Sequence, residues 1–277
     1  LKLKLRIVKS DGSDIPDTGV LVSCINVPLN TIFNQVDVLL QQQLVSSTGG
    51  QTYAYKSYFE TMLQYGIDAK KSQLQAQGYY KENIFDLDVS SFADVMKKTG
   101  DITDKTWGYV HRWFLFNINQ EPTFIGPLNA DICQQNRLIL NGVEIQIRMW
   151  PCKDAFRLLT TDTTDPYKME IVDATLKVCK VTPSPTLLLA HAEGLKESPA
   201  LYPYSKTQIK TFNVPSGQYN FHLDDLFQGD IPSHLVIGMV KSKAFSGDYK
   251  LNPFNMQHFD LSSLGVYVND ESLPGKA

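Results

Sequence analysis

The segment RLILNGVEIQIRMW at residues 137–150 decides the fold expected for this chain. Two runs of alternating apolar and polar residues flank Asn141-Gly142, a pair that favours a two-residue type I′ turn. The pattern therefore predicts a tight antiparallel hairpin in which Leu140 pairs with Val143. A slip by one residue would exchange the two faces of the hairpin, which supports this register. The apolar face would hold Leu138, Leu140, Val143, Ile145, Ile147 and Met149, and the polar face Arg137, Glu144, Gln146 and Arg148.

Further strands are predicted from the same period of two. Residues 1–7 alternate leucine or isoleucine with lysine or arginine, and residues 33–45 (FNQVDVLLQQQLV) are predicted to form a hairpin that turns around residues 41–43. Residues 235–240 (LVIGMV) are apolar on both faces, so we expect a central strand there. The remaining predicted strands are 171–181, with Val172, Ala174, Leu176 and Val178 inward, 207–214, and 259–268.

A helical insertion is predicted at about residues 52–80, where the period changes. Tyr55, Tyr58, Phe59 and Met62 follow the spacing of an apolar helix stripe. Thr52 is suited to cap this helix, Gly66 to end it, and Asp68 to cap a second short helix.

The predicted fold class is all-β with short helical insertions, as an antiparallel sandwich or jelly roll. Residues 1–182 would form a first β unit, and residues 205–277 the start of a second. Residues 183–204, framed by prolines around a short helical run, would link them. Two early segments, IVKSDGSD and FNQVDVLL, weakly resemble two late segments, MVKSKAFSGD and FNMQHFDLSSL, in the same order. This weak internal repeat indicates that the two units are related. The strand pattern already in progress at Leu1 predicts an entry partway into a domain.

The composition indicates an ordinary globular chain. A net charge of −3 and a pI near 6.0 give no basic excess, so we predict no specific nucleic-acid contact. The cysteines are too widely spaced for a zinc site and are interpreted as reduced thiols: Cys24, Cys133, Cys152 and Cys179. The chain shows no signal peptide, glycosylation sequon or apolar run of about 20 residues, which favours folding inside a cell.

Enzyme signatures are absent from the sequence: it contains no HExxH, GxSxG, Walker loop or GxGxxG. We therefore predict no catalytic, cofactor-binding or metal residues, and no cofactor. Asp11, Asp14 and Asp17 fail the spacing of a calcium loop and indicate a turn. The other candidates are interpreted as loop, capping, surface or core residues: Asp86, Asp88, Asp94, Asp224, Asp225, His111, His191, His222, His234, His258, Trp107, Trp113 and Trp150, of which Trp113 and Trp150 fall in segments that we interpret as strands.

A series of motifs over nearly the whole chain resembles the hexon-like major capsid proteins of Polinton/Maverick elements and adintoviruses. The order and approximate spacing of the motifs agree as well as their composition. They are FNQVDVLL, YAYKSYFETMLQYGIDAKKSQL, RLILNGVEIQIR with CKDAF, TPSPTLLLAHAEGL, KTFNVPSGQ, and LVIGMVKSKAFSGDYKLNPFNMQHFDLSSLGVYVND.

The resemblance implies two tandem eight-stranded jelly rolls per chain and three chains in a pseudo-hexagonal capsomer. The first roll would lack its first strand, and the second would begin near Ser205 and be incomplete. Where family members carry Asn-Gly in the early hairpin, this chain has residues 41–43 as Gln-Gln-Gln, which puts the tightness of that turn in doubt.

The functional hypothesis is a structural subunit of an icosahedral virus-like capsid. Its partners would be two further copies in a homotrimer, neighbouring capsomers, and a penton or minor capsid protein. It would be made inside the host cell and reside in the virion capsid. Residues 53–107 would form a tower or intersubunit contact. The alternatives are a carbohydrate- or protein-binding β-sandwich that uses Trp107 or Trp113, and a hydrolase that uses Asp86, Asp88 or a loop histidine.

Overall fold

The structure is a computed structural model that describes residues 1–15, 21–47, 52–82, 107–160, 166–224, 226–227, 231–268 and 271–273. Antiparallel strands and a few short helices make up its regular elements, so the fold is mostly β. The strands are β1 Lys2–Lys9, β2 Val22–Cys24, β3 Phe33–Leu40, β4 Gln43–Ser47, β5 Thr123–Ile125, β6 Ile145–Pro151, β7 Leu158–Thr160, β8 Tyr167–Thr175, β9 Val266–Val268 and β10 Glu271–Leu273. The helices are α1 Pro28–Thr31, α2 Tyr53–Gln64, α3 Ile67–Lys71, α4 Trp107–Phe116, α5 Asp154–Arg157, α6 Pro185–Glu197 and α7 Ser242–Ser246, with 3₁₀ turns at Gln73–Gln77, Asn117–Asn119 and Asp131–Gln134.

Strand β1 is the centre of one three-stranded sheet, in the order β5-β1-β8, with both partners antiparallel. Its leucines and Ile7 are buried and alternate with half-buried lysine and arginine, which confirms the predicted two-faced strand. Val8, on the other face, is buried too, but Leu3, Leu5 and Ile7 share one buried face, which specifies the register of this sheet.

Strands β3 and β4 form the predicted early hairpin, and the turn between them is tight. Gln41 and Gln42 have φ of 48° and 64°, the left-handed values that a two-residue type I′ turn requires. The Gln41 side chain donates from Nε2 to the Gly142 carbonyl oxygen at 3.0 Å. The turn is therefore tight without Asn-Gly, and both glutamines adopt a backbone conformation that costs free energy in non-glycine residues.

The hairpin predicted at residues 137–150 is wrong. Residues 138–140 form no strand, and Gly142 (φ +83°) has a positive φ whereas Asn141 does not. Strand β6 pairs instead with β3, which lies about a hundred residues earlier and places Val36 opposite Met149 and Val38 opposite Ile147. That pairing packs Met149 and Ile147 against the main core. Tertiary burial therefore outweighed the local turn preference, and Leu138 and Ile145 of the predicted apolar face are exposed.

Helix α2 confirms the predicted helical insertion, but it is buried over more of its surface than the apolar stripe implied. Tyr55 is buried as expected, while Lys56 and Glu60 on the polar side are buried too. The predicted cap of the next helix is wrong, because Gly66 occupies the N-cap position of α3 and Asp68 lies in its first turn. Residues 83–106, which belong to the tower or intersubunit contact predicted at residues 53–107, lie outside the described part of the chain.

The strands predicted in the later part of the chain are largely wrong. Strand β8 starts earlier than expected and ends at Thr175, and Val172 forms a bulge against β1. Val172, Ala174, Leu176 and Val178 were expected inward, but all are exposed. Residues 207–214 and 235–240 form no strand, and within 259–268 only Val266–Val268 is a strand. In the described residues, these apolar runs have no sheet to pair with, so their pattern produces no strand.

The core lies in the earlier part of the chain. Every buried apolar side chain that the structure describes, except Ala244 and Phe254, lies at or before Met169. Phe254 returns to helix α2, where its ring stacks on Tyr58 at 4.2 Å between centroids and meets Tyr55 edge-on at 5.5 Å. This aromatic contact anchors the segment around α7 to the first part of the chain.

Candidate functional site

The acidic turn after strand β1 is a structural turn. Asp11 accepts hydrogen bonds from the backbone nitrogen and the hydroxyl of Ser13, at 2.8 and 2.6 Å, and these bonds lower the pKa of Asp11. Asp14 pairs with Arg6 at 2.5 Å. Both carboxylates thus have local partners. The other acidic candidates Asp17, Asp86, Asp88, Asp94 and Asp225 lie outside the described residues.

The histidines lie on separate elements. His111 in helix α4 stacks on Tyr80 at 5.0 Å, and burial lowers its pKa. His222 and Asp224 form an exposed pair at 2.9 Å. His234 contacts its neighbour Ser233, His258 lies near Asp260, and His191 lies on the exposed helix α6. Within the described residues, no group of three or more histidine, cysteine or acidic side chains could hold a metal ion.

The tryptophans lie on two elements. Trp107 begins helix α4, and its side chain is outside the description. Trp113 belongs to the same helix, so its assignment to a strand-like segment is wrong, and it packs half-buried against the second core cluster. Trp150 on strand β6 is 41% exposed. Trp113 therefore contributes to packing.

A shallow cleft of about 490 Å³ opens between the 3₁₀ turn Gln73–Gln77 and the loop before strand β5. Its carboxylate, Glu121, pairs with Lys4 at 2.5 Å, and this contact lowers the pKa of Glu121. Among the described residues that line the cleft there is no second carboxylate or imidazole to complete an acid–base pair. Its lining residues are Gln75, Ala76, Tyr80, Leu115, Gln120, Glu121, Pro122, Thr123 and Phe124.

A buried charge network surrounds Lys56, whose side chain is 1% exposed. Its Nζ lies 2.5 Å from Asp131 Oδ1 and 3.5 Å from Glu60 Oε1, and it donates to the Asn129 carbonyl oxygen at 3.2 Å. Burial is the main cause of a raised pKa at Glu60, and Lys56 opposes it. Asp131 also accepts a hydrogen bond from the Thr207 backbone nitrogen at 3.2 Å. The network therefore joins helix α2 to the later part of the chain.

Sequence reasoning missed the role of Lys56. Lysine and glutamate four residues apart usually indicate a solvated helix face. The only local signal was their position on a helix whose apolar stripe contains large aromatic residues. The carboxylate that pairs with Lys56 comes from Asp131, more than seventy positions away, so no local pattern could identify it.

A second buried charge lies on helix α4. The side chain of Arg112 is fully buried, donates from Nε to the Cys24 carbonyl oxygen at 3.0 Å, and forms an ion pair with Glu82. The hydrogen bond ties helix α4 to strand β2, and the ion pair ties it to Glu82. Burial raises the pKa of the neighbouring Cys24 thiol to about 12, so this cysteine is a core residue and not a nucleophile.

Exposed large apolar side chains are concentrated in the later part of the described chain. Most of the exposed large apolar side chains in the described residues lie at or after Ile171, where few residues are buried. Where exposed apolar side chains form a contiguous patch, the patch marks an interaction site more often than a free surface. The side chains include Ile171, Val172, Leu176, Val178, Val181, Leu187, Leu188, Leu189, Leu195, Leu201, Phe212, Val214, Ile231, Leu235, Val236, Ile237, Leu261 and Leu264.

Comparison with known proteins finds one similar curated protein. The chain is 23% identical over 269 residues to the uncharacterized protein F54H12.2 of Caenorhabditis elegans. The match covers 95% of this chain and 59% of that relative, so the chain spans less than two thirds of the relative's length. No family model and no solved structure matches the chain.

Helices long and apolar enough to cross a bilayer are not found in the parts of the chain that the structure describes.

Proposed function

We propose that this chain is a structural subunit of an icosahedral virus-like capsid, the major capsid protein that forms hexon-like capsomers. The observation that carries the proposal is the exposed apolar surface after Ile171, next to a first part with a dense core. A protein that acts by assembly must present large complementary surfaces to copies of itself, and such surfaces are apolar in the isolated chain.

The fold supports the proposal at a coarse level. Its short antiparallel strands suit a jelly roll, with residues 1–182 as the first roll, 183–204 as a linker that contains α6, and 205–277 as the start of a second. The motif series that resembles the capsid proteins of Polinton/Maverick elements and adintoviruses adds to this support.

The proposed partners follow from the geometry of a shell. Three copies would form a pseudo-hexameric capsomer, which would contact neighbouring capsomers and a penton or minor capsid protein in the virion. Each contact would be repeated many times by symmetry, so individually weak contacts would hold the shell together. The net charge of −3 supports a role that does not depend on electrostatic binding of nucleic acid.

The test is the mass of the full-length protein by size-exclusion chromatography with light scattering. We expect trimers, and we expect Val236→Glu to weaken them because Val236 is exposed in the apolar run at residues 235–240. Leu138→Glu is the matched control, since Leu138 is also exposed but lies before Ile171 and outside the contact predicted at residues 53–107. Monomers at every concentration, with a cooperative melting transition that indicates a folded protein, would refute the proposal.

A further inference from the structure

Strand β4 is an outer strand of its sheet, in the order β4-β3-β6. It carries no charged side chain, whereas the outer strands β6 and β8 carry Arg148 and Lys168. Charged side chains on an outer strand normally prevent pairing with another chain. Strand β4 lacks this protection and needs another.

The first protection is a bulge. The pairing of β4 with β3 shifts between Val38 and Leu39, and Val45 is the extra residue on β4. A bulge interrupts the regular ladder and leaves the extra residue unpaired with its neighbour. The carbonyl oxygen of Val45 instead accepts a hydrogen bond from the hydroxyl of Tyr204 at 2.9 Å.

The second protection is the segment that supplies this tyrosine. Residues 201–209, here called the strap, follow helix α6 and form no helix or strand. Tyr202 and Tyr204 are half-buried against the main core, while the residues between and after them up to 208 are exposed. The strap therefore lies on the surface, held by alternate side chains.

Four hydrogen bonds tie the strap to three places around strand β4. On the N-terminal side of the Tyr204 bond to Val45, Arg137 donates to the Leu201 carbonyl oxygen at 2.7 Å, and the Leu140 nitrogen donates to the Tyr202 hydroxyl at 3.0 Å. Beyond it, the strap ends at the bond from the Thr207 nitrogen to Asp131. No ladder pairs the strap with β4 in these described residues, so the strap can leave without breaking a sheet.

We propose that the strap is an autoinhibitory cover for strand β4, and that its displacement lets β4 of one copy pair antiparallel with β4 of a second copy. Such a pair is isologous, because the same uncharged edge serves both copies. The inference goes beyond the capsid proposal, since it concerns an edge that any assembly of this chain could use. It gives the chain a means to delay edge-to-edge association until the strap moves.

The experiment removes the strap's hydroxyl bonds and keeps its rings, in the variant Tyr202→Phe/Tyr204→Phe of the full chain. Tyr219→Phe is the matched control, because the Tyr219 side chain is 99% exposed. We measure amide hydrogen exchange of peptides over the strap and over β4, together with mass by light scattering across a concentration series. We expect exchange of the strap to rise about 10-fold in the double variant and not in the control.

The same variant should associate at concentrations where the control does not, and β4 should regain protection as the associated form accumulates. Adding Leu44→Lys to the double variant places a charge on the exposed edge and should abolish this extra association. Unchanged strap exchange would overturn the proposal. So would a released strap that changes neither mass nor the exchange of β4, or extra association that survives Leu44→Lys.

These outcomes are separate from the capsid test. A wild-type protein that stays monomeric refutes the capsid proposal, yet the strap proposal stands if the double variant then associates through β4. Trimers of the wild type that persist unchanged in the double variant, without added association, support the capsid proposal and overturn the cover.

Discussion

Removal of the Lys56 ammonium should destabilise the fold strongly. In Lys56→Met the side chain keeps an unbranched apolar stem and most of its length but loses the 2.5 Å contact with Asp131 and the bond to the Asn129 carbonyl oxygen. Asp131 would stay buried with the Thr207 nitrogen as its remaining hydrogen-bond partner among those described here, and breaking a buried pair in this way costs roughly 3–5 kcal/mol. The methylenes of methionine replace those of lysine, so the apolar contribution changes little.

The assay is urea unfolding followed by circular dichroism, with Lys71→Met as the control. Lys71 is exposed in the last turn of α3, so we expect a change within about 0.5 kcal/mol. Adding Asp131→Asn to Lys56→Met should recover part of the loss, because asparagine removes the uncompensated charge and still accepts from Thr207. A loss below about 1 kcal/mol for Lys56→Met, or no recovery in the double variant, would refute the reasoning about a buried charge network.

Three further predictions concern the early turn, the pH dependence and the thiols. Gln42→Gly should raise the unfolding free energy by about 0.5–1 kcal/mol, because glycine adopts the positive φ of Gln42 without strain. The control Gln43→Gly, in strand β4, should lower it by a similar amount. Urea midpoints that shift in the same direction in both variants would contradict this prediction. The raised pKa of Glu60 means that its stabilising contribution is present below its unfolded pKa and lost as pH rises through its folded pKa. Glu60→Gln should therefore improve stability relative to wild type more at about pH 7 than at about pH 4, as measured by unfolding at both, and an equal difference at the two would contradict the sign. Cys24 should react with a thiol reagent only after denaturation, because it is buried with a pKa raised to about 12, while Cys133 is exposed and should react in the native protein; equal rates in native protein would exclude the described packing.

Strand β1 and the early hairpin could be predicted because their evidence is local. Each β1 side chain points to a face set by its neighbours two positions away, and the apolar face is buried whatever covers it. Helix α2 was predictable for the same reason, since Tyr55 and its partners in the stripe repeat within about two turns of one helix.

Strand β6 shows where local patterns stop. The alternating pattern of β6 correctly predicted an extended segment, but it did not predict the partner strand. The actual partner, β3, lies far away in the chain and competes with the neighbouring residues 138–140 for pairing with β6. The runs at 207–214 and 235–240 failed in the opposite way: their apolar residues suit a strand, but a strand also needs a partner with free hydrogen-bonding groups.

The candidate sites divide in the same manner. Whether the sequence contains catalytic motifs is a local question, and the acidic residues Asp11 and Asp14 were correctly interpreted as part of a turn. The burial of Lys56 and Arg112 was not predicted, since each depends on a carboxylate or carbonyl from a distant element. Lys56 lies on a helix that the sequence predicted, whereas Arg112 lies next to Trp113 in a segment that we had interpreted as a strand.

By itself, then, the sequence determined that β1 and the early hairpin are extended, that α2 is helical, and which side of β1 and of α2 is apolar, because those properties depend on residues a few positions apart. Only the tertiary structure decided that β6 joins β3, that Lys56 meets Asp131, and that the strap covers β4. Those outcomes depend on which distant surfaces compete for the same partner, and the free energy of burial that settles this competition belongs to the folded chain as a whole.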